Sequence, residues 1–167
     1  ISHQATASCF GSIKIFSVCC NVEDLLFGGL EDGRIFVWKI GSQKPSLGSF
    51  SSSCQSCVNT LCSIGVVVIA GYESGNIIGW NGTQESIITN NTSSSNSNQP
   101  QQLFKLSIGQ YENYHVDAIR ILVSCSAPEI PNPSEYPELT HTRPSMLLIS
   151  GSRDQSFRLW NASNCEN

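Results

Sequence analysis

Apolar residues fall along this chain in short runs, each followed by a small-residue corner and then by alternation. Residues 146–160 (MLLISGSRDQSFRLW) show the figure most clearly. Met146, Leu147, Leu148 and Ile149 lead into Ser150, Gly151 and Ser152, a polar tip follows at Arg153 and Asp154, and Phe157, Leu159 and Trp160 resume the alternation. Runs of this length around turn residues predict two short strands joined by a tight turn. The figure recurs without a gap at residues 24–38 (DLLFGGLEDGRIFVW) and 66–80 (VVVIAGYESGNIIGW). The 3 tryptophans, Trp38, Trp80 and Trp160, therefore occupy one repeat position. Trp38 and Trp80 stand 42 positions apart, a spacing typical of arrays of small supersecondary units. Trp80 and Trp160 stand 80 apart, which requires extra length between them.

Each copy is preceded by a shorter apolar run and followed by a polar one, so each reads as a four-stranded unit. The first unit covers residues 9–51, with an innermost strand at 9–18, a turn at Glu31, Asp32 and Gly33, and an edge strand containing Pro45. The second covers 54–108. Residues 89–102 (TNNTSSSNSNQPQQ) interrupt it with no apolar residue to bury, and disorder is expected there. The third covers 115–161 and is interrupted at 127–144, where Pro128, Pro131, Pro133, Pro137 and Pro144 exclude a helix or an inner strand. These two insertions supply the extra length. Alternating strand directions put both on one rim, opposite the turns at Asp32, Ser74 and Asp154.

Ser152, Asp154 and Trp160 resemble the repeat pattern of the WD-repeat family, roughly G-S-x-D with Trp six positions after the Asp. His115, four before Ile119 and seven before Leu122, resembles that family's first-strand His. The resemblance covers almost the whole chain apart from the insertions. It implies an all-β fold: a β-propeller with three four-stranded antiparallel blades, part of a larger, seven-bladed ring. It also implies a structural hydrogen-bond relay through His115, Ser152, Asp154 and Trp160. The first blade keeps Asp32 and Trp38, with Leu30 at the Ser place and Cys9 at the His place. The second keeps Trp80, with Tyr72 and Ser74 at the Ser and Asp places and Cys54 at the His place.

Composition narrows the function. A net charge of −4 lacks the basic footprint of a nucleic-acid binder, and no run reaches the roughly 18 apolar residues of a membrane helix. The 8 cysteines lie mostly in or beside apolar runs, where they read as free thiols acting as small hydrophobes. Cys54 and Cys57 have ligand spacing, but no second pair follows, so neither metal nor cofactor is expected. Reduced thiols suit a cytoplasmic or nuclear protein.

A His near a Ser and an Asp also resembles a hydrolase triad. A serine buried in a strand beside a Trp is not a nucleophile elbow, so no catalytic residue is expected. The resemblance implies instead a protein–protein interaction scaffold that holds proteins or peptides on its rims and is completed by the remaining blades of a parent chain. Candidate partner contacts are Glu31, Glu73 and Arg153 at the turns, and Ile130, Tyr136 and Leu139 among the prolines. Two rivals are an enzyme propeller, such as a quinone-dependent dehydrogenase, and a reader of modified peptides. The first needs metal-binding acids around the axis and the second an aromatic cage or an Arg cluster; neither pattern is present in the sequence.

Overall fold

The structure, a computed structural model, describes residues 14–42, 46–52, 54–92, 100–106, 114–127 and 144–163. Eleven strands and one helix follow in order: β1 (Ile15–Cys20), β2 (Leu25–Leu30), β3 (Arg34–Lys39), β4 (Gly48–Ser51), β5 (Val58–Ile64), β6 (Val67–Tyr72), β7 (Ile77–Asn81), α1 (Gln84–Thr92), β8 (Gln102–Leu106), β9 (Ile119–Ser126), β10 (Met146–Ser152) and β11 (Phe157–Asn161). They form three antiparallel sheets, β1-β2-β3-β4, β5-β6-β7-β8 and β11-β10-β9. The first two have 4 strands and the third has 3 among the described residues.

The repeat aligned in the sequence is also a repeat of register. Trp38 lies opposite Leu26, Trp80 opposite Val68 and Trp160 opposite Leu148. The turn between the second and third strands closes identically each time: the N–H groups of Gly33, Gly75 and Gln155 donate to the carbonyls of Leu30, Tyr72 and Ser152. The donor residue lies in the left-handed region, at φ 87°, 79° and 66°, where glycine is at ease and a side chain is not. The third sheet therefore turns on a strained Gln155.

Each first strand carries a one-residue bulge, between Ile15 and Ser17, between Val58 and Thr60, and opposite Gly151 and Ser152. The bulge makes Ile15, Val58 and Ile119 equivalent, since they lie opposite Leu30, Tyr72 and Ser152. This corrects the alignment of the first blade. By register the sequence position matching His115 and Cys54 is Gly11, not Cys9.

The sheets stack side by side. One apolar cluster joins the first and second through Phe27, Ile35, Phe50, Val58, Val68 and Trp80. Another joins the second and third through Ile64, Ile69, Ile77, Ile119 and Leu148. Each junction is keyed by a glycine: a Cβ on Gly29 would run into Val58, and one on Gly71 into Ile119.

One expectation fails here. Residues 89–92, read as the start of a disordered tract, form the end of α1. The helix is started by Thr83, whose hydroxyl accepts from the Ser86 N–H as an N-cap, and by Glu85 in its first turn. It is held by Ile87, which is buried in the first junction. Residues 93–99 and 128–143 lie outside the described residues, and so do Ile130, Tyr136 and Leu139. The strand ends from which both insertions leave, Asn81 and Ser126, do lie on one rim, since each is paired at the end of its sheet away from the tight turns.

Candidate functional site

Two constellations gather the polar side chains singled out in the sequence. The first is the buried relay of the third sheet. The Trp160 indole N–H donates to Ser150 Oγ at 2.8 Å, and Ser150 Oγ lies 2.8 Å from His115 Nε2. His115 Nδ1 lies 2.9 Å from Asp154 Oδ2. The Asp154 carboxylate can only accept, which sets the ring proton on Nδ1, and the neutral ring's Nε2 then accepts from the Ser150 hydroxyl. Asp154 also accepts from the Val116 and Ser156 backbone N–H groups and from the Ser156 hydroxyl at 2.6 Å. Burial alone would push the Asp154 carboxyl up. The hydrogen bonds from Ser156, His115 and the two N–H groups outweigh it and hold the group well below the usual carboxylate range.

The relay serine is Ser150, not Ser152. Both face the same side of β10 as Leu148, opposite Trp160, so alternation alone could not separate them. Ser152 sits at the bulge, accepts from the Asp154 N–H and donates to the Asp117 carbonyl. The Ser places in the other sheets are accordingly Gly28 and Ala70, not Leu30 and Tyr72. In the first sheet the missing hydroxyl leaves a mark. Trp38 leans so far over Gly28 that a Cβ there would lie 2.8 Å from its ring, and its buried indole N–H finds no acceptor among the described residues. Asp32, at the place of Asp154, is spent locally on the Arg34 N–H and guanidinium. Trp80 is packed edge-on against Phe50 and Tyr72.

Serine, histidine and aspartate here have the mutual distances of a hydrolase triad, and their surroundings decide what they do. Ser150 is 0 % exposed and lies mid-strand, with its oxygen already occupied by an indole N–H. A nucleophile needs a substrate beside it and a donor pair for the developing oxyanion. Ser150 is sealed from substrate, so the geometry is a satisfied internal network of the kind that fixes one packing.

The second constellation lies on the rim that carries the tight turns. Arg153 forks onto Asp117, with its Nε and one terminal nitrogen 2.9 and 2.8 Å from the carboxylate oxygens, and reaches Glu73 at 3.2 Å. Glu73 also pairs with Arg120 and accepts from the Asn59 amide at 2.7 Å. The hydrogen bonds from Arg153 draw the Asp117 carboxyl below its ordinary value. Of the three turn residues expected to meet partners, the structure brings Glu73 and Arg153 together across the second junction and keeps Glu31 apart on the first sheet. Sequence reading missed Asp117, Arg120 and Ser156. Ser156 alone had a signal, two positions after Asp154 at a turn.

Six cysteines among the described residues are free. Burial, with smaller contributions from Cys62 and Cys20, pushes the Cys19 thiol up to about 12, so it packs as a neutral hydrophobe.

These repeated sheets match solved WD40 structures. Over 97 % of its length, the chain superposes on the RRP9 WD40 repeats with a TM-score of 0.60 and 18 % identity. The fold is that of a WD40-repeat β-propeller. Saccharomyces cerevisiae Sqt1 matches over 88 % of the chain with a TM-score of 0.59 and 13 % identity. U3-55K matches over 93 % with 0.58 and 17 %. This chain spans 41 %, 30 % and 38 % of those three chains, under half of each. No family model and no curated protein sequence matches it. Among the described residues no helix is long and apolar enough to cross a membrane.

Proposed function

We propose that this chain is the three-bladed part of a non-catalytic WD40 interaction scaffold, completed by further blades into a seven-bladed ring and binding proteins or peptides on its rims. One observation carries the reading. The one constellation with catalytic composition among the described residues, Ser150, His115 and Asp154, is buried in the third blade and spent on holding Trp160. What faces solvent is a rim of turns with both signs of charge, at Glu31, Glu73, Asp117 and Arg153, and such a surface selects partners by charge complementarity. An enzyme propeller would instead need its reactive groups open to a cleft. The cytoplasm or nucleus is the setting that fits free cysteines.

The two insertions form a composite docking surface on the rim opposite the turns. In this reading Ile130, Tyr136 and Leu139 are its apolar anchors. Deleting residues 127–144 is expected to leave the fold and its melting temperature unchanged, because loop insertions affect stability little. The same deletion should remove one partner from those captured by the undeleted protein. An unchanged set of partners would refute the docking surface. Labelling of Ser150 by a serine-directed fluorophosphonate would refute the non-catalytic reading.

A further inference from the structure

Helix α1 is seated at the first junction, yet its own residues favour a helix poorly. Gln84–Thr92 include the β-branched Ile87, Ile88, Thr89 and Thr92 and the amides Asn90 and Asn91, all in the lower part of the helix-propensity scale. An isolated helix shorter than about 12 residues is marginal in water, so this segment is helical only while it is docked. Among its described side chains Ile87 is the buried one, at 3 % exposure in the cluster with Phe27, Phe50 and Trp80, and Ile88 beside it is 38 % exposed. The helix lies against β4, the outer strand of the first blade. Gln84 is latched to that blade twice: its N–H donates to Glu23 Oε2 at 2.8 Å, and its side chain accepts from the Lys39 ammonium.

The residue that precedes this turn is fixed by other means. The Gly82 N–H donates to the Val66 carbonyl, and the Gly82 carbonyl accepts from the buried Asn21 amide at 2.9 Å. A Cβ on Gly82 would lie 2.7 Å from both the Val66 oxygen and the Val68 side chain. The chain is thus locked into both blades up to Gly82, and a hinge can act at Thr83. Contacts that join the two blades do not pass through α1. Val58 is seated on Gly29, the Leu61 N–H donates to the Ser17 hydroxyl, and the Ser63 hydroxyl donates to the Cys20 carbonyl. Unwinding also lengthens the segment, from about 14 Å as a helix towards about 30 Å extended, so leaving the junction puts no pull on β8.

We infer that α1 is a releasable strap, latched at Gln84 and hinged at Thr83. In the native protein it exchanges between the seated helix and an unwound state in which the first two blades stay packed. Release uncovers the apolar side chains beneath Ile87, Phe50 of β4 among them. The strap is a motion within the chain and stands whether or not the rims bind partners as proposed above.

Native-state hydrogen exchange on the full chain tests it. The amides of Ile87 and Ile88 should exchange at least about 100-fold faster than those of Ile69 and Ile78, at a rate that low urea leaves unchanged, as local opening requires. Ile87→Asp should abolish protection at positions 87 and 88 and preserve it in β6 and β7. Thiol labelling gives a second readout. In Ile87→Cys the introduced thiol should be alkylated far faster than Cys62, which is buried in the second junction. Adding Lys39→Met removes half of the latch and should speed that alkylation about two- to fivefold. Exchange of Ile87 in step with Ile69 and Ile78, with the same urea dependence, would overturn the inference. So would loss of β6 and β7 protection in Ile87→Asp, equal alkylation of the two thiols, or a rate that Lys39→Met leaves unchanged.

Discussion

Trp160 and Trp38 place the same side chain at the same repeat position with opposite hydrogen-bonding outcomes. Trp160 donates to Ser150, while the Trp38 N–H is buried without an acceptor among the described residues. Trp160→Phe should therefore cost about 1–3 kcal/mol by orphaning Ser150, and Ser150→Ala a similar amount. Trp38→Phe leaves no acceptor orphaned and should cost less. Denaturant unfolding of these variants, with a Ser150→Ala/Trp160→Phe double-mutant cycle, tests the relay; a coupling near zero would contradict it. Asp154 adds a pH signature. Its carboxyl is held below the ordinary value, near 3.9, that it takes in the unfolded chain. The stability it contributes is therefore fully present above about pH 4 and is lost as pH falls from there through the folded value. Asp154→Asn should be less stable than the parent at neutral pH, with the gap closing in acid.

At the level of the element, the hairpins were the legible part, because period-two alternation and turn residues act within a few positions of each other. The tight turn offers a test of how good that local chemistry is. Gln155 occupies the left-handed position that Gly33 and Gly75 take in the other blades. Gln155→Gly should stabilise the protein by roughly 0.5–1 kcal/mol, the strain relieved exceeding the entropy glycine adds to the unfolded chain; a loss of stability would show that the Gln155 side chain contributes more than its strain. What the sequence left obscure was decided by tertiary contacts. The bulges move each first strand by one residue, and β1 has no Trp or turn of its own to fix its alignment. Ser150 and Ser152 share a face, and only their distance from Trp160 separates them. Among the described side chains of α1 one, Ile87, is seated in the core, too little to stand out as an amphipathic pattern beside a polar tract.

The whole molecule has two unlike ends. On the third blade, Ile121, Val123, Phe157 and Leu159 are exposed on the face that buries Ile35 and Val37 in the first blade and Thr60, Cys62 and Ile77 in the second. On the first blade, Ile15 is 39 % and Val18 59 % exposed, whereas the equivalent Val58 and Leu61 are 0 % and 6 %. Gly151 corresponds to Gly29 and Gly71, but a Cβ there would meet only Ile121 of its own blade. Gly71→Val should therefore cost about 1–3 kcal/mol through its clash with Ile119, while Gly151→Val should cost less in this chain alone, because its one close neighbour, Ile121, is exposed and can give way. Alone, the chain is expected to associate head to tail through these faces, as unlike ends do. Gly151→Arg and Val18→Asp should each give monomers in analytical ultracentrifugation, and their equimolar mixture a dimer that grows no further. A dimer of either variant by itself would refute head-to-tail assembly. The glycine keys also order events in time. During synthesis each blade emerges with its own contact residue ready for the glycine of the blade before it, and with its glycine open to the blade still to come. The propeller therefore consolidates from its N-terminal blade onward, and until the following blade arrives the exposed face is always the most recently made one.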